Sequence, residues 1–166
     1  MKWRYTPTMA ANDREIERKY LLRALPDSVA SARSVEVDQG YLPGERIQER
    51  IRRMRDDRDG SMRYVRTLKA GTGLSRMEIE EETTEAFFTA VWPLTRGVRV
   101  HKRRYYVPVE DGMWEIDEFL DRPNFFLAEF EMEHVDQQVG IPPWLAAVLD
   151  REVTEDRAFT NRALAK

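Results

Sequence analysis

The chain has no cysteine among its 166 residues, which excludes disulfides, thiolate metal sites and a cysteine nucleophile. It has no long apolar run either. No stretch approaches the ~20 residues a membrane-crossing helix needs, and the opening MKWRYTPTMAAN lacks the continuous apolar centre of a secretory signal. A cytoplasmic protein with no membrane partner is the expectation. A strong net charge is also missing: 27 basic against 30 acidic side chains leave −3, so no overall field points to nucleic acid. Met1–Asn12 reads as a polar, poorly ordered extension and residues 13–166 as one domain. A chain of this length buries roughly two-thirds of its unfolded surface around one core.

What the chain does have is charge, 34% of its residues against about a quarter in ordinary globular proteins. Its arrangement is clearest in EIERKYLL, Glu15–Leu22. Side chains alternate faces along a strand, so Glu15, Glu17 and Lys19 share one face and Ile16, Arg18 and Tyr20 the other. A row of two carboxylates and an ammonium suits a divalent cation beside a phosphate, because hard cations take oxygen ligands and lysine meets phosphate as a point charge. The plainer reading is the wet face of an amphipathic strand.

The same alternation recurs down the chain. Val35–Leu42 (VEVDQGYL) is a strand closed by Pro43-Gly44. Arg46–Arg55 (RIQERIRRMR) fits either period, since Ile47, Ile51 and Met54 are spaced as on a helix, but Asp59-Gly60 and the β-rich Met62–Ala70 beyond it favour a hairpin. Leu74–Thr83 puts Arg76, Glu78, Glu80 and Glu82 on one face. Thr84–Thr95 changes to a helical stripe of Phe87, Phe88, Val91 and Trp92 with Thr84 as N-cap. Val98–Glu110 and Met113–Leu120 form a hairpin around Asp111-Gly112, and Phe125–His134 follows, with Glu129, Glu131 and Glu133 on one face. Helices over Pro142–Leu149 and from about Thr154, the latter capped by Thr154, end the chain. About eight strands in tight turns imply an antiparallel sheet or barrel of the α+β class. The charges segregate by strand: Glu15–Lys19, Glu78–Glu82, Glu115–Asp117 and Glu129–Glu133 are acidic, while Arg50–Arg52, Lys69 and Lys102–Arg104 are basic. Turned inward, such faces would line a wet cavity for a metal and a polyanion.

These motifs, in this order over Arg14–Ala165, resemble the CYTH, or triphosphate tunnel metalloenzyme, superfamily. EIERKYLL matches its E-x-E-x-K strand, QGYL its second strand, ERIR its R-x-R and TLKAGTGLSRMEIE its lysine and following acidic strands. HKRRYY, WEIDEF, LAEFEME, PPWL and EVTEDRAFTNRALA continue the series. The resemblance implies an eight-stranded antiparallel closed β-barrel, a tunnel with a charged interior and a few helices packed outside. It implies that Glu15, Glu17, Asp117, Glu129 and Glu131 hold Mg²⁺ or Mn²⁺ and that Lys19, Arg50, Arg52, Lys69, Arg76, Lys102 and Arg104 bind the phosphates. Glu78 and Glu80 would line the wall further, with Lys19 and Tyr41 paired at the reaction centre.

The implied activity is metal-dependent hydrolysis of a triphosphate, inorganic tripolyphosphate first, with thiamine triphosphate, nucleoside triphosphates and, more remotely, adenylate cyclisation as alternatives. A non-catalytic polyphosphate-binding module is the rival from another class, though anion binding alone would not need so many carboxylates. Phosphoryl transfer needs positioning and charge neutralisation more than a covalent nucleophile, which agrees with the lack of any Ser/His/Asp arrangement. His101 and His134 read as structural, and a homodimer stays open as an assembly. The DRPNFF stretch at Asp121–Phe126 departs from the glycine-containing turn of many members, outside the ionic set.

Overall fold

The computed structural model describes residues 16–45, 47–70 and 77–166. Glu15 and Arg76 of the expected site, and the extension over Met1–Asn12, lie outside these residues. The strands are β1 (Ile16–Leu22), β2 (Arg33–Leu42), β3 (Ile47–Asp56), β4 (Met62–Ala70), β5 (Met77–Glu82), β6 (Arg99–Val109), β7 (Gly112–Phe119), β8 (Phe126–Met132) and β9 (Leu149–Glu152). Among the described residues there are three short helices: α1 (Glu85–Val91) between β5 and β6, α2 (Pro143–Ala146) between β8 and β9, and α3 (Asn161–Leu164) after β9. Turn chemistry accounts for the hairpins. Gly60 supplies a left-handed φ of 70° between β3 and β4, and Asn124 takes φ 59° in the turn before β8.

All nine strands form one antiparallel sheet in the order β5-β4-β3-β2-β6-β7-β8-β1-β9. Among the described residues this sheet does not close: β5 and β9 are its two edges, which corrects the expectation of an eight-stranded closed barrel. A ninth strand takes the outer edge of β1, Tyr20 facing Glu152 and Leu21 facing Arg151, so that edge is not available to β5. Closure requires matched tilt and stagger around the whole sheet, which no single strand's pattern encodes. The fold remains α+β.

The chain's last third also departs from the expected helices. Pro142–Leu149 holds only one helical turn, α2, before β9. The helix expected from Thr154 is instead a 3-10 turn, Arg157–Phe159, followed by α3. Thr154 is drawn elsewhere, its Oγ1 accepting from the Lys19 backbone N–H at 3.0 Å, while Thr160 caps α3 by accepting from Ala163 N–H at 3.2 Å. Thr84 does cap α1, accepting from Phe87 N–H at 3.1 Å.

The two faces of the sheet differ. On one, Tyr20, Leu22, Trp114, Ile116, Ala128 and Phe130 of β1, β7 and β8 pack under Leu145 of α2. The other face carries the ionic positions. At one end it is closed by a second apolar cluster in which Val153 and Leu164 of the C-terminal segment meet Val100, Phe119 and Leu127. Burial of apolar area thus clamps that segment across one end of the ionic face.

Candidate active site on the ionic face

Cross-strand partners in an antiparallel sheet point the same way, so the register fixes which charges meet. Lys19 stands opposite Glu129, Glu17 opposite Glu131, Glu115 opposite Glu129 and Arg104 opposite Asp117. On the other half, Arg50 faces Tyr41 and Thr67, Arg52 faces Gln39, Lys69 faces Glu78, and Thr67 faces Glu80. Every described site residue expected from the sequence lies on this one face.

The half built from β1, β6, β7 and β8 is the more deeply buried. Asp117, with no exposed surface, accepts from Lys102 Nζ at 2.5 Å, from Arg104 Nε at 2.7 Å and from Arg104 Nη2 at 2.6 Å. Arg104 also donates to Glu129 at 2.7 Å and to Glu115. Lys19 Nζ lies 2.8 Å from Glu129 and 3.2 Å from Glu17. Burial works against each of these charges; at Asp117, Glu129, Lys19 and Arg104 the partners outweigh it, whereas at Lys102 burial and the neighbouring Arg104 prevail over Asp117 and Glu129 and lower it. Asp117 and Glu129 are held below the usual carboxylate range chiefly by Arg104, with Lys102 and, at Glu129, Lys19 adding to it. Lys19 is held above the usual lysine range by Glu129 and Glu17. Glu115 goes the other way, because burial and the neighbouring Glu129 and Asp117 prevail over Arg104 and raise it.

The second half is held by β2 to β5. Arg50 Nη2 donates to Thr67 Oγ1 at 3.2 Å and lies 3.6 Å from Glu78, Thr67 Oγ1 donates to Glu80 at 3.3 Å, and Arg52 donates to Glu80. Lys69 Nζ meets Glu78 at 2.7 Å. Tyr41 Oη accepts from Gln39 Nε2 at 3.0 Å, and burial raises its phenol against the pull of Arg50, Lys69 and Arg52. In the order of the sheet, β6, β7 and β8 stand between the strands of Tyr41 and Lys19. Trp114, an aromatic large enough to stack on a base, is sealed in the core of the opposite face. His101 also lies off the ionic face, bonded to Glu36 at 2.9 Å, and His134 is exposed.

Several contributors escaped the sequence reading. Thr67, buried between Arg50 and Glu80, shares the face of Lys69 by alternation but carries no charge to mark it as part of a site, and Tyr106, which lies near Arg104, Glu115 and Arg52, is two after Arg104, so the period-2 rule could have placed it. Glu115 was readable as acidic on its strand but not as a partner of Arg104. Asn161, whose Oδ1 accepts from Lys102 Nζ at 3.2 Å, and Arg162, whose Cζ lies 5.1 Å from the Tyr41 ring centre, come from a segment with no ionic pattern.

The fit of this face to a cation rests on its donor set. All donors are oxygens, and Glu17 against Glu131 and Glu115 against Glu129 are like charges directly opposed, an arrangement that calls for positive charge between them. Among the described residues, no three carboxylates converge on one liganding point. Their present counterions are Lys19, Lys102 and Arg104.

No protein-family model matches the chain. An inorganic triphosphatase of Nitrosomonas europaea is 38% identical over 157 residues, 91% of this chain and 96% of that protein. One of Acetivibrio thermocellus is 29% identical over 156 residues, 92% of this chain and 94% of that protein. The solved structure of the inorganic triphosphatase NE1496 is 35% identical, superposes with a TM-score of 0.64 and covers 91% of this chain and 97% of its own. The identity extends over nearly the whole of both chains, and with the ordered motifs and the ionic face it leads to one assignment: the chain belongs to the inorganic triphosphatase family of the CYTH, or triphosphate tunnel metalloenzyme, superfamily.

Proposed function

We propose that this protein hydrolyses a triphosphate, with inorganic tripolyphosphate as its substrate and Mg²⁺ or Mn²⁺ as its cofactor. Water adds to the terminal phosphorus, the bond to the bridging oxygen breaks, and that oxygen leaves on pyrophosphate while phosphate is released. The observation that carries the reading is a face on which Lys19, Arg50, Arg52, Lys69, Lys102 and Arg104 are gathered with an equally dense set of carboxylates. Cations alone would serve to bind an anion. The added carboxylates suit an ion-assisted cleavage, in which positioning and neutralisation of charge do most of the work.

Glu15, Glu17, Asp117, Glu129 and Glu131 would hold the divalent ion, and Glu78 and Glu80 would keep Lys69, Arg50 and Arg52 in place. The ion supplies neutralisation of the phosphate chain when bound. Lys19, Arg50, Arg52, Lys69, Lys102 and Arg104 then exchange carboxylate for phosphate oxygens, which match their donors in charge and, for the arginines, in bidentate geometry, and Arg76 would bind the phosphates with them. The core position of Trp114 removes one stacking surface that a nucleoside or thiamine triphosphate could use.

Phosphate release from tripolyphosphate, ATP and thiamine triphosphate, each with Mg²⁺, Mn²⁺ or EDTA, tests the function. Turnover of tripolyphosphate with metal and none with EDTA is expected; no turnover of any substrate with metal would sink it. Glu17→Gln should abolish metal-dependent turnover with an unchanged circular dichroism spectrum, and normal activity would remove Glu17 from the site.

A further inference from the structure

Among the described residues, the phosphate-binding cations share one feature: each is matched to a carboxylate, Lys19 to Glu129, Arg50 and Lys69 to Glu78, Arg52 to Glu80, Lys102 and Arg104 to Asp117. Arg162 differs. It forms no ion pair with any described residue, and its guanidinium carbon lies 5.1 Å from the centre of the Tyr41 ring. Tyr41 is itself 4% exposed, and Arg50, Lys69 and Arg52 act electrostatically on its phenol. Arg162, itself exposed, therefore adds a further positive charge beside one buried aromatic, and among the described residues no carboxylate pairs with it.

Its position is fixed by its neighbours in the chain. Thr160 caps α3, Asn161 Oδ1 accepts from Lys102, Arg122 donates to the Leu164 carbonyl, and Lys166 exchanges backbone hydrogen bonds with Arg99 at 2.8 and 2.9 Å. The backbone that carries Arg162 is thus tied to β6 and to the turn after β7. An exposed guanidinium seated on the Tyr41 ring, on a backbone tied to the strands of the site, can turn its donors to an anion, and the anion proposed for this face is a phosphate chain.

We propose that Arg162 is a phosphate-binding residue contributed by the C-terminal segment, and that by covering Tyr41 it favours an inorganic triphosphate over one carrying a base. The inference rests on the triphosphatase reading. Because the Tyr41 ring is already covered by a guanidinium, a nucleobase could stack there only by displacing it, whereas a phosphate gains a donor.

Steady-state hydrolysis of tripolyphosphate and ATP by Arg162→Ala, Arg162→Met and Arg162→Lys, each with Mg²⁺ or Mn²⁺, tests it. Ala and Met should raise KM for tripolyphosphate about tenfold, the scale of one charge-assisted hydrogen bond, with kcat within about twofold. Lys should fall between them and the parent protein, and KM for ATP should change less. Met keeps apolar cover over Tyr41 without the charge, so a parental KM in Arg162→Met, or in all three variants, would overturn phosphate binding by Arg162. An equal rise for both substrates would overturn the selectivity. A parent protein without turnover would refute the function instead, and calorimetric titration with tripolyphosphate would then decide on Arg162 alone: a tenfold weaker Kd in Arg162→Ala upholds it, and equal or absent binding in both proteins overturns it.

Discussion

Asp117 shows at the scale of one residue why the ionic face stays folded. It is fully buried and accepts three hydrogen bonds from Lys102 and Arg104, two cations that are themselves largely shielded from water. Breaking a buried pair from one side costs more than the pair gains, because the remaining charge keeps its desolvation penalty. Asp117→Ala should therefore lower stability by about 3–5 kcal/mol, read as a shift in the urea midpoint. A loss below about 1 kcal/mol would mean that Glu129 and Glu115 suffice to neutralise Arg104. The sequence placed Asp117 on the correct face but as a metal ligand alone; its role as counterion to Lys102 and Arg104 depends on β6 lying beside β7.

At the scale of elements, the site depends on how closely the 3-10 turn Trp92–Thr95 is seated on β2. A Cβ on Gly40 would come within 2.6 Å of the Thr95 side chain, whose Oγ1 donates to the Trp92 carbonyl at 2.8 Å and accepts from Arg99 Nε at 2.9 Å. Neither partner has room to yield, and Gly40 lies between Gln39 and Tyr41. Gly40→Ala should cost about 1–3 kcal/mol of stability through overpacking. By displacing Tyr41 it should also raise KM for tripolyphosphate. A variant with the parental melting temperature and KM would show that the turn moves freely on β2. The hairpins and the α1 cap were legible because their turn and cap chemistry is local: Asp59-Gly60, Asp111-Gly112 and Thr84 act on residues within a few positions. The strand β9 was not, since Leu149–Glu152 is short and mostly exposed and becomes a strand only by pairing with β1, more than a hundred residues away in sequence.

Over the whole molecule, charge is organised on both faces of the sheet. Away from the site, Glu36 accepts from Arg55 at 2.8 Å and from Arg103 at 3.3 Å and pairs with His101. The hydrogen bonds from His101 and Arg55 pull its carboxyl down to about 2. A carboxyl whose folded value is depressed stabilises the fold above its ordinary value and loses that contribution as pH falls through the folded one. Glu36, Asp117 and Glu129 all act in this direction, while Glu115, which is raised, opposes them. Stability should hold above about pH 4.5 and decline toward pH 2, and Glu36→Gln should flatten part of that decline. Urea midpoints measured from pH 7 to pH 2 check this, and an acid limb identical in the variant would exclude Glu36. Lys19, which is raised, should lose its contribution only at pH above the ordinary lysine range.

The sequence by itself determined which charges share a face with which, because alternation along a strand is a local rule that holds whatever the strand pairs with. It also carried the order of motifs that marks the family. Tertiary structure alone decided the rest: β6 lies between β2 and β7, β9 occupies the edge of β1 and leaves the sheet open, and the C-terminal segment brings Asn161 to Lys102 and Arg162 to Tyr41. Those outcomes follow from strand order, twist and the burial of Val153 and Leu164 against distant strands, and none of these is a property of any short stretch of chain.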